Sequence, residues 1–441
     1  MRLGTLLKRT LAPAAACALA LAACGSQPRA RAHSSTRPAS PAPKHDHTVY
    51  LYSSLPLSGP ERSTAQQLQR GIEFALRGLH GRRGGLPYRI RYRALDDAAT
   101  PGGRAQRGAA ARGGSGWNPS ATVRNAQRAA RNPQTVAFIG ELDSGATMLS
   151  LPILNEAGIV QMTPGSGYPG LTDAYKNITN LNEPGIYYPQ PANRTLVRLI
   201  PNDLVQASAA VTVARRAGCQ RVAAWGFGNT PDAAGLVKAV AVAAQRSHEI
   251  SYTPPPPLGT DTKTYVAYAH SLAVAGLHCG ILVGSVTRAA VALTTDLREQ
   301  LSPGNVIIGS SGFCSSRWLH GIPASLVRGV AAGLYCMTPA LPVQNYINGT
   351  RFIHMFRRAY HHAPSAYDYL GYEAAQLVIR AVRDLVPGED PRTEVASSII
   401  GGIASVELDW YAFTGGDSSS SRYGVDTFVN GIPKHHTTVT P

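Results

Sequence analysis

Two short loops in the stretch 135–172 carry the residue types that hold a small polar molecule. Val136, Ala137, Phe138 and Ile139 form an apolar run ending at Gly140, as a buried parallel strand does. A polar turn, Glu141 to Ser144, follows. Ser144 reads as the N-cap of a helix through Met148, Leu151 and Leu154 toward Gly158, with Pro152 shortening it. Ile159 to Met162 reads as the next strand and Thr163 to Tyr168 as its exit loop. Both loops leave the carboxyl ends of neighbouring parallel strands, the edge at which open α/β sheets bind ligands. Ser144, Gly145 and Ala146 then present a hydroxyl and unpaired backbone N–H groups at a helix start, which suits a carboxylate.

Other chemistries fit less well. Gly165-Ser166-Gly167-Tyr168-Pro169-Gly170 matches the GxGxxG dinucleotide pattern of an NAD-dependent oxidoreductase. It is not the first βα turn, Pro169 argues for a loop, and no strand ending in an acid follows at the required distance. Gly309-Ser310-Ser311-Gly312 follows a strand but lacks the GxSxG spacing of a hydrolase nucleophile. His320, His354, His361 and His362 have no patterned acidic partner, and the adjacent pair cannot act as an i, i+4 metal site. We expect no catalytic residue, no metal and no cofactor.

The elements that must position these loops follow from composition. A chain of 441 residues with 44% hydrophobic content accommodates two domains with cores of their own. The net charge of +16 is carried by scattered Arg, with no stripe interleaved with aromatics, so nucleic acid is not the expected partner. Residues 1–24 read as an export signal: Arg2, Lys8 and Arg9 precede the apolar run Leu11 to Ala23, which is too short to span a bilayer as a helix. The run ends in Leu21-Ala22-Ala23-Cys24, which resembles a bacterial lipobox with Cys24 as lipid acceptor. Residues 25–47 lack large apolar side chains and read as a flexible tether near an anionic membrane. Four further cysteines in an exported chain imply two disulfides, for which three pairings exist. Cys219 and Cys279 precede the strands 222–225 and 281–283, and share an edge if those strands are neighbours. Cys314 follows the strand 306–308 and Cys336 ends a strand read at 329–335, so the expected pairs are Cys219–Cys279 and Cys314–Cys336.

Along the chain, strands and helices alternate as in a doubly wound parallel sheet. Val49 to Tyr52 is a strand, then a helix carries Leu68, Ile72, Leu76 and Leu79, then Tyr88 to Tyr92 is a strand closed by Asp96-Asp97. Residues 98–119, with Trp117, read as a surface insertion. A second βα series begins after Arg198 to Asp203. Residues 406–430 read as strands around a polar turn at 415–422.

Leu57-Ser58-Gly59-Pro60, Asp96-Asp97, Leu151 to Asn155, Thr163-Pro164, Gly170-Leu171-Thr172, Arg198 to Asp203, Gly371 to Ala375 and the tail Tyr423 to Gly431 occur in order. In that order the chain resembles the type I solute-binding proteins of the branched-chain amino acid receptor group of ABC importers, over about residues 48–432. The resemblance implies two doubly wound parallel-sheet α/β lobes joined by three hinge crossings, with 48–197 and 339–413 in one and 198–338 and 414–441 in the other. It implies an extracytoplasmic, lipid-anchored monomer that captures an amino acid or another small carboxylate-bearing solute for an ABC permease. A ligand-sensing protein acting through a partner is the alternative. The implied ligand contacts are Ser144, Gly145, Ala146, Gly165, Ser166, Gly167, Tyr168 and Ser311, with Tyr187 as a further stacking wall. The family's ligand loop commonly carries Thr where this chain has Gly167, and the loop around Ser311 lacks the acid that holds an ammonium. Glu141, Asp143 or Asp261 then supplies that charge, or the ligand has no ammonium.

Overall fold

A computed structural model describes residues 48–79, 86–98 and 116–441, apart from 229, 303, 323, 387, 402 and 406–409. Cys24, the export signal, the tether and most of the 98–119 insertion lie outside the described residues. The first sheet comes from β1 (Thr48–Leu55), α1 (Arg62–Arg77), β2 (Arg89–Asp96), α2 (Pro119–Arg131), β3 (Thr135–Ile139), α3 (Ser144–Glu156), β4 (Val160–Thr163) and β5 (Leu196–Arg198). Its order is β2-β1-β3-β4-β5, all parallel. β3 sits in the middle, and every residue in it is buried, as its unbroken apolar run requires. β2 forms an edge, and Arg89, Arg91 and Arg93 alternate outward along it, the charged pattern that blunts an open edge.

The second sheet comes from α4 (Asp203–Arg216), β6 (Arg221–Phe227), α5 (Pro231–Ser247), β7 (Ser251–Tyr252), α6 (Tyr265–Val274), β8 (Cys279–Gly284), α7 (Arg288–Gln300), β9 (Ile307–Gly309), α8 (Arg317–His320), α9 (Ala324–Ala331) and β10 (Leu334–Thr338). The chain then returns to the first sheet through α10 (Gly349–Tyr360), α11 (Ala366–Arg383) and α12 (Pro391–Ile400). A small ladder of β11 (Ile403–Ser405), β12 (Trp410–Thr414) and β13 (Asp417–Ser418) precedes β14 (Tyr423–Val429) and β15 (Ile432–Val439). The second sheet runs β15-β14-β10-β9-β8-β6-β7.

The doubly wound parallel expectation holds for β10-β9-β8-β6-β7, and β14 adds an edge to it, pairing antiparallel with both β10 and β15. The signal is in the sequence: Asn430 and Gly431 both take positive φ between the two strands, as a two-residue hairpin turn demands. The strand expected at 329–335 is corrected. α9 ends at Ala331, Gly333 takes a positive φ, and the strand starts at Leu334. The cysteines pair as Cys219–Cys279 and Cys314–Cys336, with Cα separations of 5.9 and 5.3 Å. The first pair is possible because β6 and β8 are neighbours.

α1 and α11 cover one face of the first sheet and approach closely at two glycines. A Cβ on Gly71 would overlap the Asp368 carbonyl, and one on Gly371 the Leu68 carbonyl. Phe74 fills the space beside them, edge-on to Phe352 and Phe356.

Three segments cross between the sheets: the stretch after β5, the stretch after β10, and 414–423. Arg198 ties the first of them to the third and is fully buried. Its Nε donates to Asp417 Oδ1 at 2.5 Å, and Asn202 Nδ2 donates to Asp417 Oδ2 at 2.9 Å. Three further N–H groups reach Ser166 O at 2.7 Å, Tyr168 O at 3.0 Å and Thr172 Oγ1 at 2.7 Å. Truncation would strand a carboxylate and several buried oxygens. Arg198→Ala is therefore expected to cost about 3–5 kcal/mol in urea unfolding, and Lys, which lacks the planar fork, is expected to restore less than half. A loss under 1 kcal/mol would show that the crossings hold without it.

Candidate functional site

The carboxyl-end loops of both sheets line one cleft of about 190 Å³. Pro56 comes from the loop after β1, Asp97 from β2, Leu142 to Ser144 from β3, and Gly165 and Gly167 from β4. Across from them lie Asp232 and Ala233 at the start of α5, Gly284 to Val286 after β8, and Ser310 to Gly312 after β9. Gly284 has a positive φ, and a Cβ on it would overlap the Phe227 carbonyl, so the loop after β8 turns there only as glycine. Trp117 and Tyr367 add aromatic surface, Leu236 and Val286 apolar surface.

The expected contacts divide. Ser144, Gly165, Gly167 and Ser311 line the cleft; Gly145, Ala146, Ser166 and Tyr168 do not. The helix start explains part of this. The N-cap of α3 is Asp143, not Ser144, and its Oδ1 accepts from the Gly145 N–H at 2.8 Å. The chain's own carboxylate thus occupies a donor expected to serve a ligand anion. Ser166 is fully buried, and its Oγ sits 2.7 Å from Thr147 Oγ1. Ser144 Oγ accepts from the Tyr168 N–H at 3.2 Å, which leaves its own proton available.

Tyr168 and Tyr187 turn away into a buried clamp. Their hydroxyls donate to the two oxygens of Glu183 at 2.6 and 2.7 Å. Burial pushes Glu183 up, but these bonds and two from Asn180 outweigh it and hold the carboxyl below its usual value. Tyr168 also packs over Gly235 of α5, where a Cβ would meet its ring. Both tyrosines are packing residues beside the crossings.

Sequence reading missed most of the cleft's charge. Glu61, Asp97, Asp143, Asp203 and Asp232 line it, with Arg317 as the cation among the described lining residues. Arg317 lies 3.7 Å from Glu61, an ion pair between a residue beside α1 and one in α8. A Cβ on Gly167 would overlap Asp203 Oδ1, so the glycine makes room for a carboxylate where a side chain would otherwise stand. Asp203 also takes Gln206 Nε2 at 2.7 Å, and Gln206 Oε1 accepts from the Ser311 N–H at 2.8 Å. Burial first, and then the neighbouring Asp232, push both Asp143 and Asp203 up to about 7. Burial likewise pushes Asp97 up to about 7, and behind it Glu141 is raised further by burial and by Asp97. Of the three acids expected to replace the missing counter-charge, only Asp143 reaches the cleft. Glu141 is fully buried behind it, and Asp261 is exposed on a short turn, accepting from the Lys263 N–H. Asp232 escaped notice because acid at the start of a helix is ordinary dipole pairing.

Neither competing chemistry finds its geometry. Pro169–Leu171 is a single short turn, not the long helix a dinucleotide loop opens into. Among the described residues, the group spaced for a metal is Cys314, Cys336 and Asp426, and both cysteines are joined in a disulfide.

The profile of the family described as periplasmic binding protein matches residues 115–402, more than half of the chain. Solved structures share the fold. A substrate-binding protein of an ABC transporter from Desulfitobacterium hafniense, in complex with Leu, superposes with a TM-score of 0.67 at 18% identity, covering 88% of this chain and all of that one. A branched-chain amino acid transporter substrate-binding protein from Streptococcus pneumoniae, in complex with isoleucine, gives 0.65 at 15% identity over 89% of this chain and 100% of its own. A solute-binding protein from R. palustris, in complex with benzoate, gives 0.60 at 16% identity over 89% and 97%. Among curated proteins, no relative is found by sequence.

The raised carboxyls fix a pH dependence. Their folded pKa lies above the unfolded value, so the folded chain binds more protons between about pH 4 and 7. Stability from this source is full on the acid side and lost as pH rises through about 7. The melting temperature without ligand should fall between pH 5 and 8. Asp143→Asn, which keeps a capping oxygen but no charge, should raise it at pH 8 and flatten the slope in differential scanning fluorimetry. A slope unchanged by Asp143→Asn would remove Asp143 from the account.

Proposed function

Starting from the fact that the chain belongs to the periplasmic binding protein family, we propose that it captures a small polar solute between its two sheets and presents it to an ABC import permease. It is a binding protein and performs no covalent chemistry. The observation that carries the reading is the cleft: loops from both sheets line it, and three crossings, two of them tied together by Arg198, form its hinge.

The mechanism is closure. A solute settles first on the loops after β2, β3 and β4. The loops after β6, β8 and β9 then complete its contacts, and the closed form is the one a permease recognises. The Arg317–Glu61 pair bridges the two sides and favours the closed arrangement. For a solute of the amino acid class, the Ser144 hydroxyl and Arg317 are the donors for a carboxylate, and Asp143 and Asp232 the acceptors for an ammonium. The Leu, isoleucine and benzoate named for the neighbouring structures belong to those proteins and suggest only the size of solute. No described helix is long and apolar enough to cross a membrane, and a lipid on Cys24 would supply the attachment.

Protein purified from its native membrane should carry a co-purifying solute, identified by mass spectrometry of the denatured sample. Adding that solute to stripped protein should shrink the radius of gyration in small-angle X-ray scattering. Ser144→Ala should weaken its binding by about tenfold, the worth of one hydrogen bond to a charged group. A radius unmoved at saturation would exclude closure.

A further inference from the structure

The charge lining the cleft is one-sided. Among the described lining residues five carboxylates meet one guanidinium, and that guanidinium is paired with Glu61. The next cation, Arg198, is committed to Asp417 and to the oxygens of Ser166, Tyr168 and Thr172. Four acids remain, and their acceptors are not all used. Asp232 Oδ1 is buried and has no hydrogen-bond partner among the described residues. Asp97 is 1% exposed beside the buried Glu141, and among the described residues neither of its oxygens accepts a side-chain or backbone N–H within hydrogen-bond distance. Asp143 caps α3, Asp203 opens α4 and Asp232 lies in the first turn of α5; α5 packs against both other helices, and all three acids line the cleft at these helix starts.

We propose that the cleft selects small organic cations: solutes of net positive charge whose amine or guanidinium sits among Asp143, Asp203 and Asp232 with Trp117 as an aromatic wall. The inference rests on reading the cleft as the solute site, and names the class of solute. An ammonium brings three donors and a guanidinium five, with no acceptor, which matches surplus acceptors and a ring face. A neutral zwitterion balances one acid and spends its own carboxylate on Arg317, and an anion balances none. Apolar lining from Leu142, Leu236, Val286 and Trp117 favours a carbon-bearing cation over a bare metal ion, which would leave that surface unused.

Proton release should accompany binding. The groups facing the cation are Asp143 and Ser144 from the start of α3, and Asp203 from α4. Asp232 faces it from α5, Asp97 with Glu141 behind it from β2 and β3, and Arg317 with Glu61 from the far side. Asp97, Asp143 and Asp203 hold protons up to about pH 7, and an incoming cation expels them.

Titration calorimetry on the full chain, stripped of solute, tests this with 1,4-diaminobutane, L-arginine, L-leucine, benzoate and calcium. At pH 8 the diamine or arginine should bind at least about tenfold tighter than leucine, with no heat from benzoate. Affinity should fall at pH 6, and heats in buffers of different ionisation enthalpy should report protons released. Asp232→Asn, half-exposed at a helix start, should weaken the cation at least about tenfold while leaving the ligand-free melting temperature within a few degrees. Leucine or benzoate binding as tightly as the cations, with compaction, would overturn the inference and keep the solute-binding function. Calcium outbinding the amines, or none of the cations binding, would also overturn it. Failure of the solute-binding reading itself would appear separately, as no compaction with the co-purified solute.

Discussion

The structure depends on one buried guanidinium. Arg198 ends the last strand of the first sheet, and its side chain reaches both the crossing at 414–423 and the carbonyls of Ser166 and Tyr168. A buried charge is tolerable only when it is paired and hydrogen-bonded, and here Asp417 supplies the counter-charge while two backbone carbonyls and a hydroxyl accept from three further N–H groups. The same residue thereby sets the hinge and the loop after β4. Five residues on, the Asp203 N–H donates to Gly167 O at 2.8 Å and holds that glycine beside Asp203. Hinge and cleft are one hydrogen-bonded unit.

From that unit follows the cleft's acidity. A helix start beside a strand end attracts anions, and here the anion is Asp143 of the chain itself. Having filled that position from within, the cleft adds Asp203 where Gly167 leaves room and Asp232 at a second helix start. The positive ends of α3 and α5 are therefore screened by side chains, and what faces the empty space is negative. Burial penalises the ionised form, and for Asp143 and Asp203 the charge of Asp232 adds to it, which pushes Asp97, Asp143 and Asp203 up to about 7.

Much of the fold was legible because it rests on local pattern. The buried run at β3, the Arg alternation of β2 and the spacing of the cysteines each report a physical environment directly. The Asn430–Gly431 pair, with positive φ at both residues, is an equally local signal of the β14–β15 hairpin. The cleft was less legible. Ser144, Gly165, Gly167 and Ser311 sit in loops whose place at a strand end is predictable. Asp97, Asp203 and Asp232 come from segments far apart in the chain, and each looks locally like a turn or cap residue. Trp117 read as part of a surface insertion, yet it packs against Gly145, where a Cβ would meet its ring. Tyr168 and Tyr187 erred the other way. An aromatic beside a ligand loop invites a functional role, and only the Glu183 clamp shows that their hydroxyls are occupied.

The order of strands along the chain bears on how the molecule comes to be folded. β10 needs β14, whose partner residues lie about ninety positions later, and α1 needs α11, about three hundred later. Neither half can close its core until nearly the whole chain is available, so a chain emerging from a ribosome lacks the pieces to finish either one. Loop closure over such distances is slow, and an unfinished sheet keeps its edge open. A polypeptide threaded through a membrane must stay unfolded until it has crossed. Interleaving the two halves builds that delay into the connectivity itself.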